Sequence, residues 1–326
     1  MGDSGSYGFM RVNCLRISVT DRCNLSCVYC HPARDRDFVQ DDEVLTFDEI
    51  HRIVRLFADC GIENVRLTGG EPLLRRDLPL LVTRLAAIER IRELTLTTNG
   101  VRLKQMAGEL KAAGLDRVNI SVDSLEADNY KQITGRDVLS RVVEGIHKAL
   151  EVGLQPVKIN AVILRGVNHS QILAFAKISI DVPVTVRFIE YCQTSEGTPA
   201  ADDYVPCREI RSVIERAYGP LSRATVRPSN GPALYLKIGG AIGAIGFIAG
   251  RSTRFCRSCN RIRISSDGKI RPCLYSDYTC DIGQVMRNGT SDGQIRNILA
   301  RAIGCKHTFT RPDSLVRGFS MRKVGG

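Results

Sequence analysis

Three cysteines at Cys-x3-Cys-x2-Cys spacing, Cys23, Cys27 and Cys30, follow directly on a strand-like run, Leu15 to Val19. Four protein ligands close a structural zinc site or an ordinary electron-transfer cluster, whereas a four-iron cluster on three cysteines keeps one iron open for chemistry. A second group, Cys256-x2-Cys259-x13-Cys273, again offers three thiolates without an obvious fourth. A zinc ribbon completed by Cys280 or His307 is one reading of it, and a second cluster whose open iron meets a substrate nitrogen or oxygen is the other. Around this group run Arg251, Arg254, Arg257, Arg261, Arg263, Lys269 and Arg271, against the single acid Asp267. Guanidinium forks match phosphate geometry. The interleaved aromatics, Phe255 and Tyr275, are too few to form a stacking surface for single-stranded RNA.

Thr68-Gly69-Gly70-Glu71-Pro72 follows a second strand-like run, which puts it on the same rim as the cysteine loop. Glycines there let a ligand approach the backbone closely, and the carboxylate with nearby carbonyls can accept hydrogen bonds from an ammonium group.

Strands alternating with amphipathic helices must position these loops. Six β-branched runs, 15–19, 63–67, 92–97, 116–122, 155–163 and 183–189, predict a parallel α/β sheet. Helical patterns fall near 77–89, 101–113, 137–152 and 168–178. Thr46 and Glu49 predict a capping box, with Ile50, Ile53, Val54 and Phe57 on one face of the helix it starts. Six βα units are fewer than the eight of a closed barrel, so the expected architecture is an incomplete (βα)6, TIM-like barrel over residues 1–225. A smaller C-terminal region, 226–326, is glycine-rich and basic. Along the strands apolar residues alternate with polar ones. Helices covering the outside claim the apolar set, which leaves Arg16, Arg66, Thr97, Ser121 and Lys158 pointing into a wet, basic lumen; with the faces reversed they would be solvated edge residues.

At 326 residues, with 43% hydrophobic and 25% charged residues, the chain is expected to fold as a globular protein. No apolar leader is evident at the N-terminus, and the weakly polar stretch 239–250 is too short and glycine-broken to span a bilayer, so a cytoplasmic location is expected. The twelve cysteines would then be reduced thiols or metal ligands. A net charge of +11 predicts affinity for anions.

The segment SVTDRCNLSCVYCH, followed one βα unit later by the Gly-Gly-Glu motif, resembles the signature of radical S-adenosylmethionine (SAM) enzymes. With LTTNG, NISVDSL, VRFIE, FCRSCNRIRISSDGKIRPCL and the terminal Gly-Gly, the chain from about residue 11 to 326 resembles the GTP 3′,8-cyclase family of molybdenum cofactor biosynthesis. That resemblance implies two [4Fe-4S] clusters, one on Cys23, Cys27 and Cys30 and an auxiliary one on Cys256, Cys259 and Cys273. It implies SAM contacts from Tyr29, Gly70, Ser121 and the backbone around Cys192. It implies GTP contacts from Arg16, Arg66, Thr97, Lys158 and the Arg261-Ile262-Arg263 segment, and a Gly325-Gly326 tail reaching the active site. The implied reaction is radical cyclisation of GTP between C3′ and C8. An electron donor, and hand-over to the next enzyme, cyclic pyranopterin monophosphate synthase, are the expected partners; neither a membrane nor a nucleic acid is, and a homodimer is left open. His31 and Cys192 stand where the family often has methionine. A peptide-modifying radical SAM maturase, and a zinc protein that binds RNA, are the rival readings.

Overall fold

The computed structural model describes residues 11–30, 38–192, 203–224, 231–253, 255–256, 259–274, 279–308 and 321. Six parallel strands form from the expected runs: β1 (Cys14–Ser18), β2 (Asn64–Thr68), β3 (Glu93–Thr98), β4 (Arg117–Ser121), β5 (Lys158–Ile163) and β6 (Thr185–Glu190). They pair in sequence order, as right-handed βα crossovers allow. Outside them lie α1 (Phe47–Asp59), α2 (Leu78–Ala86), α3 (Leu103–Ala112), α4 (Ala127–Thr134), α5 (Leu139–Glu151) and α6 (Ile172–Asp181).

The capping box forms: the Thr46 hydroxyl accepts from the Glu49 N–H at 3.2 Å, and the Glu49 carboxylate accepts from the Thr46 N–H at 2.7 Å. From that fixed start Ile50, Ile53, Val54 and Phe57 are all buried against the sheet. The helix α4 was not anticipated, because its sequence, ADNYKQIT, is mostly polar. Tyr130, Ile133 and Thr134 are what it buries, and it stops at Gly135, whose φ of 78° suits glycine.

The C-terminal region continues the sheet at both edges. After α7 (Cys207–Tyr218) come β7 (Ser222–Arg223), β8 (Leu234–Lys237) and β9 (Ala244–Ile248), and β9 lies parallel beside β6. Next, β10 (Arg261–Ile264) lies parallel beside β1, followed by β11 (Lys269–Arg271), β12 (Cys280–Asp281), α8 (Ile282–Arg287) and α9 (Asp292–Thr308). The full order is β12-β11-β10-β1-β2-β3-β4-β5-β6-β9-β8-β7. Eight adjacent strands, β10 through β9, are thus parallel, yet among the described residues no ladder joins β9 to β10 and the barrel stays laterally open. The apolar strand residues, such as Ile17, Leu67, Leu96 and Ile120, join the helices' core outside the sheet, which frees the other face for polar groups. Among the described residues no helix is long and apolar enough to cross a membrane.

Candidate active site

A cavity of about 370 Å³ opens at the C-terminal ends of the parallel strands, where barrel enzymes carry their sites. All six triplet cysteines line it. So do Tyr29, Gly70, Ser121 and Cys192, and Arg16, Arg66, Thr97, Arg261 and Arg263. Two of the residues expected from the resemblance to contact SAM or GTP do not. The Ile262 side chain, one step out of phase with Arg261 and Arg263, is fully buried in the apolar core. Lys158 is 1% exposed and stands off the cavity wall, where its Nζ meets the Tyr235 hydroxyl at 3.3 Å and lies 5.1 Å from the ring centroid.

Arg187 on β6 joins the cavity wall without having been singled out, although it alternates in phase with Ile189 in the VRFIE run. It is 5% exposed and spans three strands: Nε donates to Asn160 Oδ1 at 2.8 Å and a terminal nitrogen to Asn119 Oδ1 at 2.8 Å. Arg66 donates from Nε to the Thr95 hydroxyl at 3.1 Å. Arg117, deeper on the same face, makes a bidentate pair with Glu93, both contacts 2.7 Å. Burial and then the surrounding guanidiniums hold Arg16 well below an arginine's ordinary value, and Arg66 below it too. Burial and the charges of Arg117, Arg187 and Arg66 push Lys158 down to about 6. The buried guanidiniums so gathered favour an anion in the cavity.

The first cysteine loop rests on the Gly-Gly-Glu loop through main chain. Gly70 N–H donates to the Thr20 carbonyl at 2.7 Å and Glu71 N–H to the Arg22 carbonyl at 2.8 Å. A Cβ on Gly70 would lie 2.3 Å from the Arg22 carbonyl oxygen, so both glycines serve the contact between loops as well as facing the cavity. Glu71 corrects the expectation of an ammonium acceptor. It is 1% exposed and off the cavity wall, with its carboxylate taking the Leu73 N–H (3.0 Å), the Thr98 hydroxyl (2.6 Å) and the Asn99 N–H (2.7 Å). Burial outweighs those bonds and raises it to about 7. Asp123, just past β4, was also missed as a site residue. It accepts from the Tyr29 hydroxyl at 2.5 Å and the Val162 N–H at 2.8 Å, which fixes Tyr29 in the cavity wall.

Across the cavity, Glu190 at the end of β6 holds the approach to the second triplet. Its carboxylate accepts from the N–H groups of Cys207 (2.8 Å), Arg251 (2.9 Å) and Ser252 (2.8 Å) and from the Ser252 hydroxyl (2.6 Å). Burial works to raise Glu190, but these donors win and keep it below the usual carboxylate range. Burial likewise works against the Cys259 thiolate, yet Arg261 and Lys306 pull it down to about 6. Cys280, a candidate fourth zinc ligand, pairs with Ile270 in the sheet and does not line the cavity. Met321 lines the cavity and donates its N–H to the Cys30 carbonyl at 2.9 Å; Gly325, Gly326, His31 and Tyr275 lie outside the described residues.

The donor chemistry suits iron–sulfur clusters. Burial and the neighbouring Cys30, Asp123 and Cys23 push the Cys27 thiol well above its ordinary value, and a cationic group among the three sulfurs would favour its thiolate form. Among the described residues no three His, Cys, Asp or Glu side chains converge on one ion-sized position.

The model of the Radical SAM superfamily matches residues 17–178, and that of Molybdenum Cofactor Synthesis C matches residues 184–310. The structure of Streptococcus suis SuiB bound to S-adenosylmethionine shares the fold, with a TM-score of 0.64 at 19% identity, covering 88% of this chain and 68% of that one. The GTP 3′,8-cyclase of Moorella thermoacetica is 44% identical over 91% of this chain and 91% of its own length. That of Geobacter sulfurreducens is 42% identical over 98% of both. Likeness of this extent, through both cysteine triplets and the strands between them, makes the chain a member of the GTP 3′,8-cyclase family within the radical SAM superfamily.

Proposed function

We propose that this chain converts GTP to (8S)-3′,8-cyclo-7,8-dihydroguanosine 5′-triphosphate, the first step of molybdenum cofactor biosynthesis. The observation that carries the reading is a single cavity whose wall holds both cysteine triplets with Arg16, Arg66, Arg187, Arg261 and Arg263. Such a wall suits a polyanion better than a peptide, and a nucleoside triphosphate presents one.

In this reading Cys23, Cys27 and Cys30 hold the SAM cluster, and Cys256, Cys259 and Cys273 hold an auxiliary cluster. When bound, the first cluster and SAM supply the one-electron chemistry that removes hydrogen from C3′ of the ribose. Tyr29, Gly70, Ser121 and Cys192 bound the SAM pocket, with Tyr29 fixed by Asp123. The arginines neutralise the triphosphate, Thr97 adds a hydroxyl at the wall, and Lys158 contributes from behind it. Ile262 acts through its backbone alone. Between them these groups orient two substrates and exclude water. The Gly325-Gly326 tail is assigned a part in the reaction on the strength of the family resemblance alone. An external electron donor, hand-over to cyclic pyranopterin monophosphate synthase and a cytoplasmic location complete the proposal, as does a division at residue 225 between the barrel and the auxiliary-cluster region.

Anaerobic turnover of the reconstituted protein with SAM, a reductant and GTP deuterated at C3′ tests it. Deuterium is expected in the 5′-deoxyadenosine. Unlabelled 5′-deoxyadenosine with GTP unconsumed would sink the GTP reading.

A further inference from the structure

Along α9 the buried positions are Ile295, Leu299 and Ala302, and the same face continues to Lys306. The spacing i, i+4, i+7, i+11 is that of an apolar stripe, so a lysine at its end is an exception that needs a reason. The start of the helix is clamped to α1, where Asp292 accepts from Arg52 at 2.8 Å and from Arg55. Its far end delivers the Lys306 ammonium, on a side chain left 8% exposed, to the cavity wall. There Nζ donates to Cys259 Sγ at 3.2 Å and to the Pro272 carbonyl at 2.8 Å.

Pro272 directly precedes Cys273, so one ammonium ties together the two chain segments that carry the second triplet. An ammonium is costly to bury unless it is paired, and here its two acceptors are a cysteine sulfur and the carbonyl beside another cysteine. Hydrogen bonds to cluster sulfurs withdraw electron density and raise the reduction potential, and charged donors make the strong ones.

We propose that Lys306 is a positioning residue for the second cluster: it holds Cys259 and Cys273 in register and raises the cluster's reduction potential through its N–H···S bond. The inference rests on reading the second triplet as cluster ligands. The Arg261 guanidinium also approaches Cys259 Sγ, at 3.7 Å, but Lys306 is the group that bridges to the Cys273 segment.

The test compares full-length wild type, Lys306→Met and Lys306→Arg after anaerobic reconstitution, by iron and sulfide content and by a redox titration followed by electron paramagnetic resonance. The signal of the first cluster is recognised by its change on adding SAM. For Lys306→Met the SAM-insensitive signal is expected to shift to more negative potential or to be lost selectively, with Lys306→Arg restoring part of the effect. If Lys306→Met does not fold, Lys306→Gln, which keeps an N–H but no charge, gives the same readout. A variant with full iron content and an unchanged potential overturns the proposal, and so does weakened GTP binding at unchanged potential, which would make the ammonium a phosphate ligand. Wild-type protein that takes up one cluster's worth of iron would overturn the second-cluster reading itself and be seen before any variant is compared.

Discussion

Met321 donates its backbone N–H to the carbonyl of Cys30, the last cysteine of the first triplet, at 2.9 Å. Met321 itself lines the cavity, four positions before Gly325 in the chain. Removing Gly325 and Gly326 is expected to lower GTP conversion by at least about tenfold, ~1.4 kcal/mol in barrier, while SAM cleavage without GTP is unchanged. The check is the ratio of cyclised product to 5′-deoxyadenosine; an unaltered ratio would place the tail outside the reaction.

Replacement of Gly70 by alanine should separate the two loops that frame the first triplet. The added Cβ would meet backbone, 2.3 Å from the Arg22 carbonyl oxygen and 2.7 Å from that of Asp21, and backbone cannot swing aside as a side chain can. A loss of about 1–3 kcal/mol in stability is expected, with iron lost from the first cluster before the second. Thermal unfolding together with iron content after reconstitution reads both effects.

Lys158 predicts proton uptake on binding. With its value lowered to about 6 by burial and neighbouring guanidiniums, it is mostly neutral at pH 7 in the ligand-free protein. An arriving triphosphate favours the charged form, so binding between about pH 6 and 10 takes up a proton. Calorimetry of GTP binding in buffers of different ionisation enthalpy should show that uptake, reduced in Lys158→Met. The same shift makes the folded state bind fewer protons than the unfolded one across that window, so this residue's contribution to stability rises with pH there and is flattened in the variant.

Glu190 is expected to act in the opposite window. Its folded value lies below its ordinary one, because four donors outweigh burial, so its contribution is full above the unfolded value of about 4.3 and fades as pH falls through the folded value. Glu190→Gln should flatten the acid side of a urea-unfolding profile. Glu190→Ala leaves the N–H groups of Cys207, Arg251 and Ser252 without this acceptor and is expected to cost about 3 kcal/mol, with selective loss of the second cluster. Iron retained in both clusters at wild-type stability would refute that role.

Much of this was legible in the chain. The β-branched runs lie within a few residues of the six barrel strands, because period-two alternation and helical covering leave one consistent choice of faces. Thr46 and Glu49 announced the start of α1 because a capping box is local in sequence. The helix α4 was hidden because its stability comes from tertiary packing of Tyr130 and Ile133 rather than from a visible apolar stripe. Glu71 was misread for a similar reason: its hydrogen-bond partners, Thr98 and Asn99, belong to the next βα unit.

What the sequence by itself determined was the two Cys triplets with their spacing and the alternation that puts Arg16 and Arg66 on the inner face of β1 and β2. These depend on residue type and short-range spacing. Only the tertiary structure decided that β9 and β10 would extend the barrel sheet at its two edges and so bring both triplets to one cavity. It also decided that Arg187 would bridge Asn119 and Asn160, that Lys158 would stand behind the wall, and that Lys306 would reach Cys259. Those outcomes rest on strand pairing and burial between residues far apart in the chain, where the desolvation of each charge is set by neighbours that local spacing does not name.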